Sequence, residues 1–351
     1  MGSSGGRDER RASDPRTAEG GAYLPAVPTI ETATGPVDSA SLGRVLMHEH
    51  VFIISPEMKD NVPEDWGDDE TRLEDAARRL TELKESGIDA ILDPTALGLG
   101  RYIPRIATLA ARIDLRILVA TGLYTFNELP HYWGGRVPGS GPNGSDPMVD
   151  LFVKDITEGI AGTGIKAAVL KCATDRPGMT PGVERVLRAC AQAHRATGAP
   201  ITTHTFAAAK RGLEQQEVFR SEGVDLTRVV IGHSGDTDDL GYLEELIDNG
   251  SILGMDRFGI DGYLPTAERV KVIAELCRRG YADRMVLSHD ASCYLDWIPG
   301  EIPPSTMPHW HYLHISEDVL PMLREAGVTD AQIDTMLVDT PRRFLENRGP
   351  Y

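Results

Sequence analysis

Leu46-Met47-His48-Glu49-His50-Val51-Phe52-Ile53-Ile54 is the stretch on which the reading of this chain turns. Apolar, β-rich flanks at Val45-Leu46 and Val51 to Ile54 predict a strand. Side chains alternate faces along a strand, so His48 and His50 share one face while Glu49 takes the other. Two imidazoles about 6–7 Å apart along one face can grip a single divalent ion. The plain alternative is two unrelated histidines at a strand end. The choice between them depends on whether further ligands stand at the ends of later strands.

Working outward, the pattern of this strand repeats. The first strand spans Arg44–Ile54, and Thr71–Ser86 follows as a helix with Leu73, Ala76, Ala77, Leu80 and Leu83 on one face, closed by Gly87. Strands are predicted at Ile88–Pro94, Leu115–Thr121, Ile165–Cys172, Ala199–His204, Arg228–His233, Ser251–Met255 and Arg284–Asp290. Helices alternate with them at Tyr102–Ile113, Met148–Ile160, Pro181–Thr197, Gly212–Glu222, Asp239–Asp248, Ala267–Arg279 and, at the end, Glu317–Ala326 and Asp330–Leu337. Eight near-continuous apolar strands, each followed by a helix, fit parallel strands buried on both faces. No GxGxxG or GxxxxGK[ST] follows the first strand, which takes support from a nucleotide-binding open sheet. The expected fold is therefore α/β, a (β/α)8 TIM barrel, preceded by a short β hairpin in Val27–Leu42 around Gly35-Pro36.

Length and composition agree. The chain has 351 residues, 41% hydrophobic and 25% charged, enough for one large barrel domain over 21–351. Residues 1–20 are rich in Gly, Ser, Arg, Asp and Glu without an apolar run, and are expected to form a disordered tail with no catalytic role. A formal net charge of −17 argues against nucleic acid or an anionic membrane as partner. No run of 18 apolar residues predicts a membrane span. Cys172, Cys190, Cys277 and Cys293 lack CxxC spacing, pointing to a reducing, cytoplasmic setting without disulfides.

The candidate ligands fall at the strand ends. His48 and His50 lie in the first strand, Lys171 closes the fourth, His204 the fifth, His233 the sixth and Asp290 the eighth. In a barrel these ends converge on one face, where active sites of the fold sit. Imidazole suits zinc, cobalt or iron, and a carboxylate adds charge and a basic oxygen. His48, His50 and Asp290 are expected to hold one ion and His204 and His233 a second, with a hydroxide between two ions about 3.5–4 Å apart. An ammonium beside two cations would be repelled, so Lys171 must be neutral, either as a Schiff-base lysine or converted by carbon dioxide to a bridging carbamate. The simpler alternative is a lysine snorkelling at the barrel mouth.

His48-Glu49-His50, Lys171 after Ala167-Ala168-Val169-Leu170, His204, the run IGHSGD around His233 and SHD ending at Asp290 resemble the phosphotriesterase family of the amidohydrolase superfamily. The resemblance runs from about Ala33 to Phe344, including the closing DTPRRFL. It implies a (β/α)8 barrel, two divalent ions (zinc foremost, with cobalt, iron or manganese as other choices) and a carboxylated Lys171, with His48, His50, Lys171, His204, His233 and Asp290 as ligands. Within the family the chain is most similar to phosphotriesterase-like lactonases, through Tyr124 in ATGLY, Arg257 in MDRFG and Trp297. That similarity implies hydrolysis of N-acyl-homoserine lactones, with organophosphate hydrolysis alongside, and a homodimer. Attack would come from the metal-bridging hydroxide. Asp290 would shuttle the proton, Tyr124 would donate to the developing oxyanion, and Arg257 would shape the pocket. Tyr263, Leu264, Tyr294, Leu295, Trp297 and Ile298 would line an acyl-chain channel.

Each of these assignments has a plainer competitor. Arg257 could form a salt bridge with Asp256 or Asp261, Trp297 could simply pack its loop, and the aromatic loop could cover helices or a subunit interface. Competing functions are a phosphotriesterase or carboxylic esterase, a class I aldolase built on Lys171, and a non-catalytic binding protein.

Overall fold

The structure, a computed structural model, describes residues 1–2, 28–298 and 306–351, so the expected tail lies almost wholly outside the described residues. Among the described residues, twelve strands run in chain order. β1 (Thr29–Ile30) and β2 (Val37–Asp38) form the antiparallel N-terminal hairpin, with Thr32 and Gly35 exchanging turn hydrogen bonds. β3 (Val45–Leu46), β5 (Ala90–Asp93), β6 (Arg116–Gly122), β7 (Val169–Thr174), β8 (Ile201–Thr205), β9 (Val229–Ile231), β10 (Ile252–Met255) and β11 (Met285–Leu287) build one parallel eight-stranded sheet in that order. β4 (His50–Ile53) pairs in parallel with β12 (Ser292–Leu295) beyond the barrel rim. Helices such as Asp69–Glu85, Pro181–Thr197 and Thr266–Arg278 connect successive strands, giving the (β/α)8 barrel.

Period-2 alternation sorts the core into two layers. Val45, Met47, Ala90, Leu92, Leu118, Ala120, Val169, Val230, Ile252 and Val286 point inward and pack with Ile30 and Leu42 of the N-terminal segment and with Phe344 and Leu345. Leu46, Ile91, Ile117, Val119, Leu170, Ile231, Leu253 and Leu287 point outward against the helices. Each strand is apolar on both faces for that reason.

Several boundaries differ from the sequence reading, among them the ends of the sixth and eighth barrel strands, β9 and β11, which stop short of His233 and Asp290. The first strand is not continuous over Arg44–Ile54. It breaks at Met47–Glu49, and the inward parity passes from odd residues (Val45, Met47) to even ones, so that His48 and His50 both reach the mouth. The fourth barrel strand starts at Val169 rather than Ile165, after left-handed turns at Gly162 and Gly164, and it runs on to Thr174 rather than Cys172, so Lys171 sits mid-strand instead of closing it. At the C-terminal end, π-helical turns at Ile315–Val319 and Thr335–Asp339 interrupt the expected helices, and a further helix, Thr340–Leu345, follows. Pro321 and Pro341 sit just after these turns and lack the N–H a regular helix would use.

Gly122, where β6 leaves the barrel, has φ +123°, and a Cβ there would fall 2.0 Å from the Lys171 carbonyl oxygen. That carbonyl accepts the Leu123 amide at 3.1 Å. Gly122→Ala is expected to lower stability by at least about 2 kcal/mol, read as a lower urea midpoint with unchanged slope. An unchanged midpoint would mean that β6 can retreat from Lys171 without loss.

Candidate metal centre

Five side chains with metal-ligating chemistry are buried together at the C-terminal mouth: His48, His50, Lys171, His204 and His233. Asp290 joins them, partly exposed toward the opening. The Asp290 Oδ1 lies 3.6 Å from His48 Nε2 and 3.3 Å from His50 Nε2, and its Oδ2 lies 3.8 Å from His233 Nε2. His233 Nε2 and His204 Nδ1 are 2.9 Å apart, and Lys171 Nζ is 3.0 Å from His48 Nε2. Ligand atoms of His48, His233 and Asp290 fall within 4.8 Å of one another. All six residues read from the sequence are therefore gathered at one place.

Two of them pay in backbone conformation. His233 (φ 58°) and Asp290 (φ 55°) lie beyond the ends of β9 and β11 in the left-handed region, which costs a non-glycine residue of order 1–3 kcal/mol each. The surroundings hold them there. The Asp256 carboxylate accepts from the His233 backbone N–H, and the Asp290 N–H donates to the His48 carbonyl at 3.0 Å.

An outer ring of acceptors sets which ring nitrogen carries the proton. Asp256 Oδ2 accepts from His48 Nδ1 at 3.0 Å, and its Oδ1 accepts from His233 Nδ1 at 2.9 Å. His50 Nδ1 donates to Thr95 Oγ1 at 2.7 Å, and that hydroxyl donates to Asp93 at 2.5 Å. Asp175 accepts from His204 Nε2 at 2.6 Å. With those protons placed, the free lone pairs of His48, His50 and His233 (Nε2) and of His204 (Nδ1) all turn inward. Two imidazole lone pairs facing each other at 2.9 Å, and a third 3.3 Å from a carboxylate oxygen, repel unless a cation lies among them. The donor set fits divalent metal, and this outer-ring arrangement is the one that orients metal-binding histidines.

Charge follows burial. Burial holds the His204 imidazole down at about 4 and, with Arg257 nearby, His233 well below the usual histidine range. His48 is lowered by burial and by Lys171. Burial pushes His50 the same way, but Asp290 and Asp93 outweigh it and raise the ring. Burial would raise the Asp290 carboxyl, yet His48, His233, His50 and Arg257 hold it well below the carboxylate range. Burial lowers the Lys171 ammonium to about 8.

The plain alternative for Arg257, a salt bridge with Asp256 or Asp261, is not what forms. Asp256 is taken by the two histidines, and Asp261 caps Thr266. Arg257 instead donates from Nε to Asp290 at 2.9 Å and from Nη1 to Asp236 at 3.0 Å, with its guanidinium 4.8 Å from the Tyr263 ring centre. Tyr124 places its hydroxyl 3.2 Å from His204 Nδ1, and burial raises its pKa well above the usual value, so it is a phenol rather than a phenolate. Trp297 is half exposed, with its ring 6.0 Å from that of Tyr124. Tyr294 lies elsewhere than in the expected channel: its ring packs on Trp66 and under Arg72, and its hydroxyl donates to Asp65. Phe126, 5.0 Å from Tyr124 and 5.4 Å from His204, was not among the sequence candidates.

Sequence reasoning also missed Asp93, Asp175 and Asp256 as orienting groups, although each stands at or just past a strand's C-terminal end. Glu49 was missed too. Fully buried, it accepts from Ser288 Oγ, the His289 N–H, His289 Nδ1 and the Ala291 N–H, bracing the turn that carries Asp290.

Replacing Asp256 by Asn removes the double acceptor behind His48 and His233. Divalent-ion affinity is expected to fall about 10–100-fold, read by competition with a chromogenic chelator. An unchanged affinity would show that Asp256 is only structural.

Comparison with known proteins agrees with this geometry. Residues 28–345 match the model of the Phosphotriesterase family. The chain is 60% identical over 325 residues to a phosphotriesterase homology protein of Mycobacterium tuberculosis, covering 93% of this chain and 100% of the relative. It is 36% identical over 311 residues to an aryldialkylphosphatase of Saccharolobus solfataricus, covering 88% and 96%. The solved structure of the phosphotriesterase from Mycobacterium tuberculosis superposes with a TM-score of 0.90 at 60% identity, over 92% of this chain and 100% of that one.

Proposed function

The chain belongs to the phosphotriesterase family, and from that premise we propose that it is a metal-dependent lactonase. N-acyl-homoserine lactones are its preferred substrates, in keeping with a quorum-quenching role, and organophosphate triesters are slower ones. The observation that carries the lactone reading is the Tyr124 hydroxyl. It is a neutral O–H donor 3.2 Å from His204 Nδ1 under an apolar wall of Phe126 and Trp297.

His48, His50 and Asp290 would hold one divalent ion and His204 and His233 a second, with Lys171, as a carbamate, offering two oxygens between them. Zinc suits these nitrogen and oxygen donors best, and cobalt, iron or manganese are accommodated by the same set. When bound, such ions supply an acidified water and polarise a carbonyl.

The chain's own groups do the rest. Asp290, kept ionised beside the Arg257 guanidinium, accepts the proton of the attacking water and returns it to the leaving alkoxide of the opened ring. Tyr124 donates its O–H to the carbonyl oxygen as negative charge develops there. Arg257 positions Asp290 by one hydrogen bond while Asp236 holds the guanidinium from the other side. Phe126, Trp297 and Tyr263 present exposed apolar surface where an acyl chain can lie. We further read the enzyme as a cytoplasmic homodimer. Its four cysteines are free and buried, and among the described residues no helix is long and apolar enough to cross a membrane.

A second reading is phosphotriesterase as the main activity, favoured by the name of the Saccharolobus solfataricus relative. Kinetics of the metal-loaded enzyme on lactones, carboxylic esters and paraoxon separate the two, with kcat/KM expected to be highest for lactones. Tyr124→Phe is expected to lower lactone turnover by about 10-fold or more and paraoxon turnover less. Equal losses would remove Tyr124 from the oxyanion role, and a paraoxon preference in the wild type would establish the second reading.

Carbamate formation requires the neutral amine. The neutral fraction of Lys171 rises with pH through about 8, so carboxylation of metal-free protein at fixed dissolved carbon dioxide is expected to increase from pH 7 to pH 9. Carbon-13 NMR of labelled protein checks this, and Lys171→Ala is expected to show no signal and no hydrolysis. Trapping of the wild type by borohydride with substrate would mark a Schiff-base enzyme instead.

A further inference from the structure

Outside the mouth, a second set of metal-type side chains occupies the segment Pro308-His309-Trp310-His311-Tyr312-Leu313-His314 and the π-helical turn after it. Ligand atoms of His309, His314 and Asp318 lie within 4.8 Å of one another. His314 immediately precedes the turn Ile315–Val319, so its i+4 relation to Asp318 puts the two side chains on one face, with His314 Nδ1 2.8 Å from Asp318 Oδ2. His309 reaches the same place from the preceding loop, its ring centre 4.9 Å from that of His314.

The proton positions make this more than a cluster. The Thr266 hydroxyl lies 2.9 Å from Asp261 Oδ1 and 3.2 Å from His314 Nε2. A carboxylate is the stronger acceptor, so the hydroxyl proton goes to Asp261, and Thr266 Oγ1 keeps a lone pair toward His314 Nε2. His314 is buried, and its Nδ1 donates to the Asp318 carboxylate at 2.8 Å. A divalent ion would take that proton's place between Nδ1 and the carboxylate, the ring's proton shifting to Nε2, where Thr266 Oγ1 accepts it. The carboxylate–hydroxyl–imidazole chain through Asp261 and Thr266 is the outer support that a metal-binding histidine requires.

We infer that His309, His314 and Asp318 form an accessory site for a divalent ion of the zinc class, separate from the barrel-mouth centre. Two imidazoles and one carboxylate are borderline nitrogen and oxygen donors, a set that suits zinc, with solvent able to complete four-coordination on the exposed side of His309 and Asp318. The ion staples the segment over the mouth. Trp310, next to His309, donates its indole N–H to the carbonyls of His289 and Asp290 at 3.2 Å each. The Ile315 N–H donates to His289 Nε2 at 2.9 Å. Gly259, in the loop that carries Arg257, packs so closely on His309 that a Cβ there would fall 2.1 Å from the His309 carbonyl oxygen. Fixing His309 to the Ile315–Val319 turn therefore clamps both loops that flank Asp290.

The test uses full-length, tag-free holoenzyme dialysed against micromolar free zinc, beside His309→Ala and Asp318→Asn. Both replaced side chains are solvent-exposed, so the variants are expected to keep the wild-type melting temperature in zinc-free buffer. Elemental analysis is expected to find one zinc fewer per chain in each variant than in the wild type. Anomalous scattering from wild-type crystals is expected to place a peak among the three side chains. Added zinc is expected to raise the melting temperature of the wild-type holoenzyme and not that of either variant. Equal zinc counts, or a loss of more than one equivalent, would overturn the inference, the latter because it would trace the effect to the barrel-mouth centre.

Discussion

The seam where the barrel closes, between β3 and β11, is the constraint on which the rest depends. The Met47 N–H donates to the Leu287 carbonyl at 3.2 Å, the His48 N–H to Ser288 Oγ at 2.8 Å and the Asp290 N–H to the His48 carbonyl at 3.0 Å. Glu49, buried between the two chain segments, gathers four donors from Ser288, His289 and Ala291. A buried carboxylate that accepts four hydrogen bonds is held by directional contacts that apolar packing does not supply. The break in the first strand at Met47–Glu49 is what brings Glu49 to that position. The same break turns His48 and His50 into the mouth, so closing the barrel and bringing in the first candidate ligands are one event.

Around the mouth, carboxylates are divided between two tasks. Asp93, Asp175 and Asp256 stand behind the histidines and take the outer protons, leaving lone pairs inward. Asp290 stands in front, ionised and bound by Arg257, which is anchored in turn on Asp236. Asp236 is itself held by the fully buried Arg269. Two left-handed residues, His233 and Asp290, carry backbone strain that this network sustains. Strain and buried charge thus concentrate where the chemistry is placed, while the inner and outer apolar layers of the barrel supply the rigidity that keeps the ligands at fixed distances.

The apolar side of the mouth is organised differently. Tyr124, Phe126 and Trp297 come from two loops and touch only through ring contacts of 5.0–6.0 Å. Among the described residues, no hydrogen-bond network fixes the Trp297 side chain as one fixes the histidines. The His309–Asp318 segment meets the loops that flank Asp290 through Trp310, on the carbonyls of His289 and Asp290, and through His309, against Gly259.

The barrel and the convergence of His48, His50, Lys171, His204, His233 and Asp290 were legible in the sequence. Apolar strand periodicity is a local property, and in a parallel barrel every strand's C-terminal end goes to one face. What the tertiary structure alone decided is which carboxylate serves which cation. Asp256 looked like a partner for its neighbour Arg257, yet it bridges two histidines from different strands, and Arg257 reaches across to Asp290 and Asp236. Glu49 looked like the idle residue between two ligands, and Tyr294 like a channel wall. Their roles depend on a break in strand parity and on the path of a loop after β12, which arise from contacts more than 200 residues apart in sequence. Periodicity carries the direction of a side chain within its own element. Only the packed fold determines what that side chain meets.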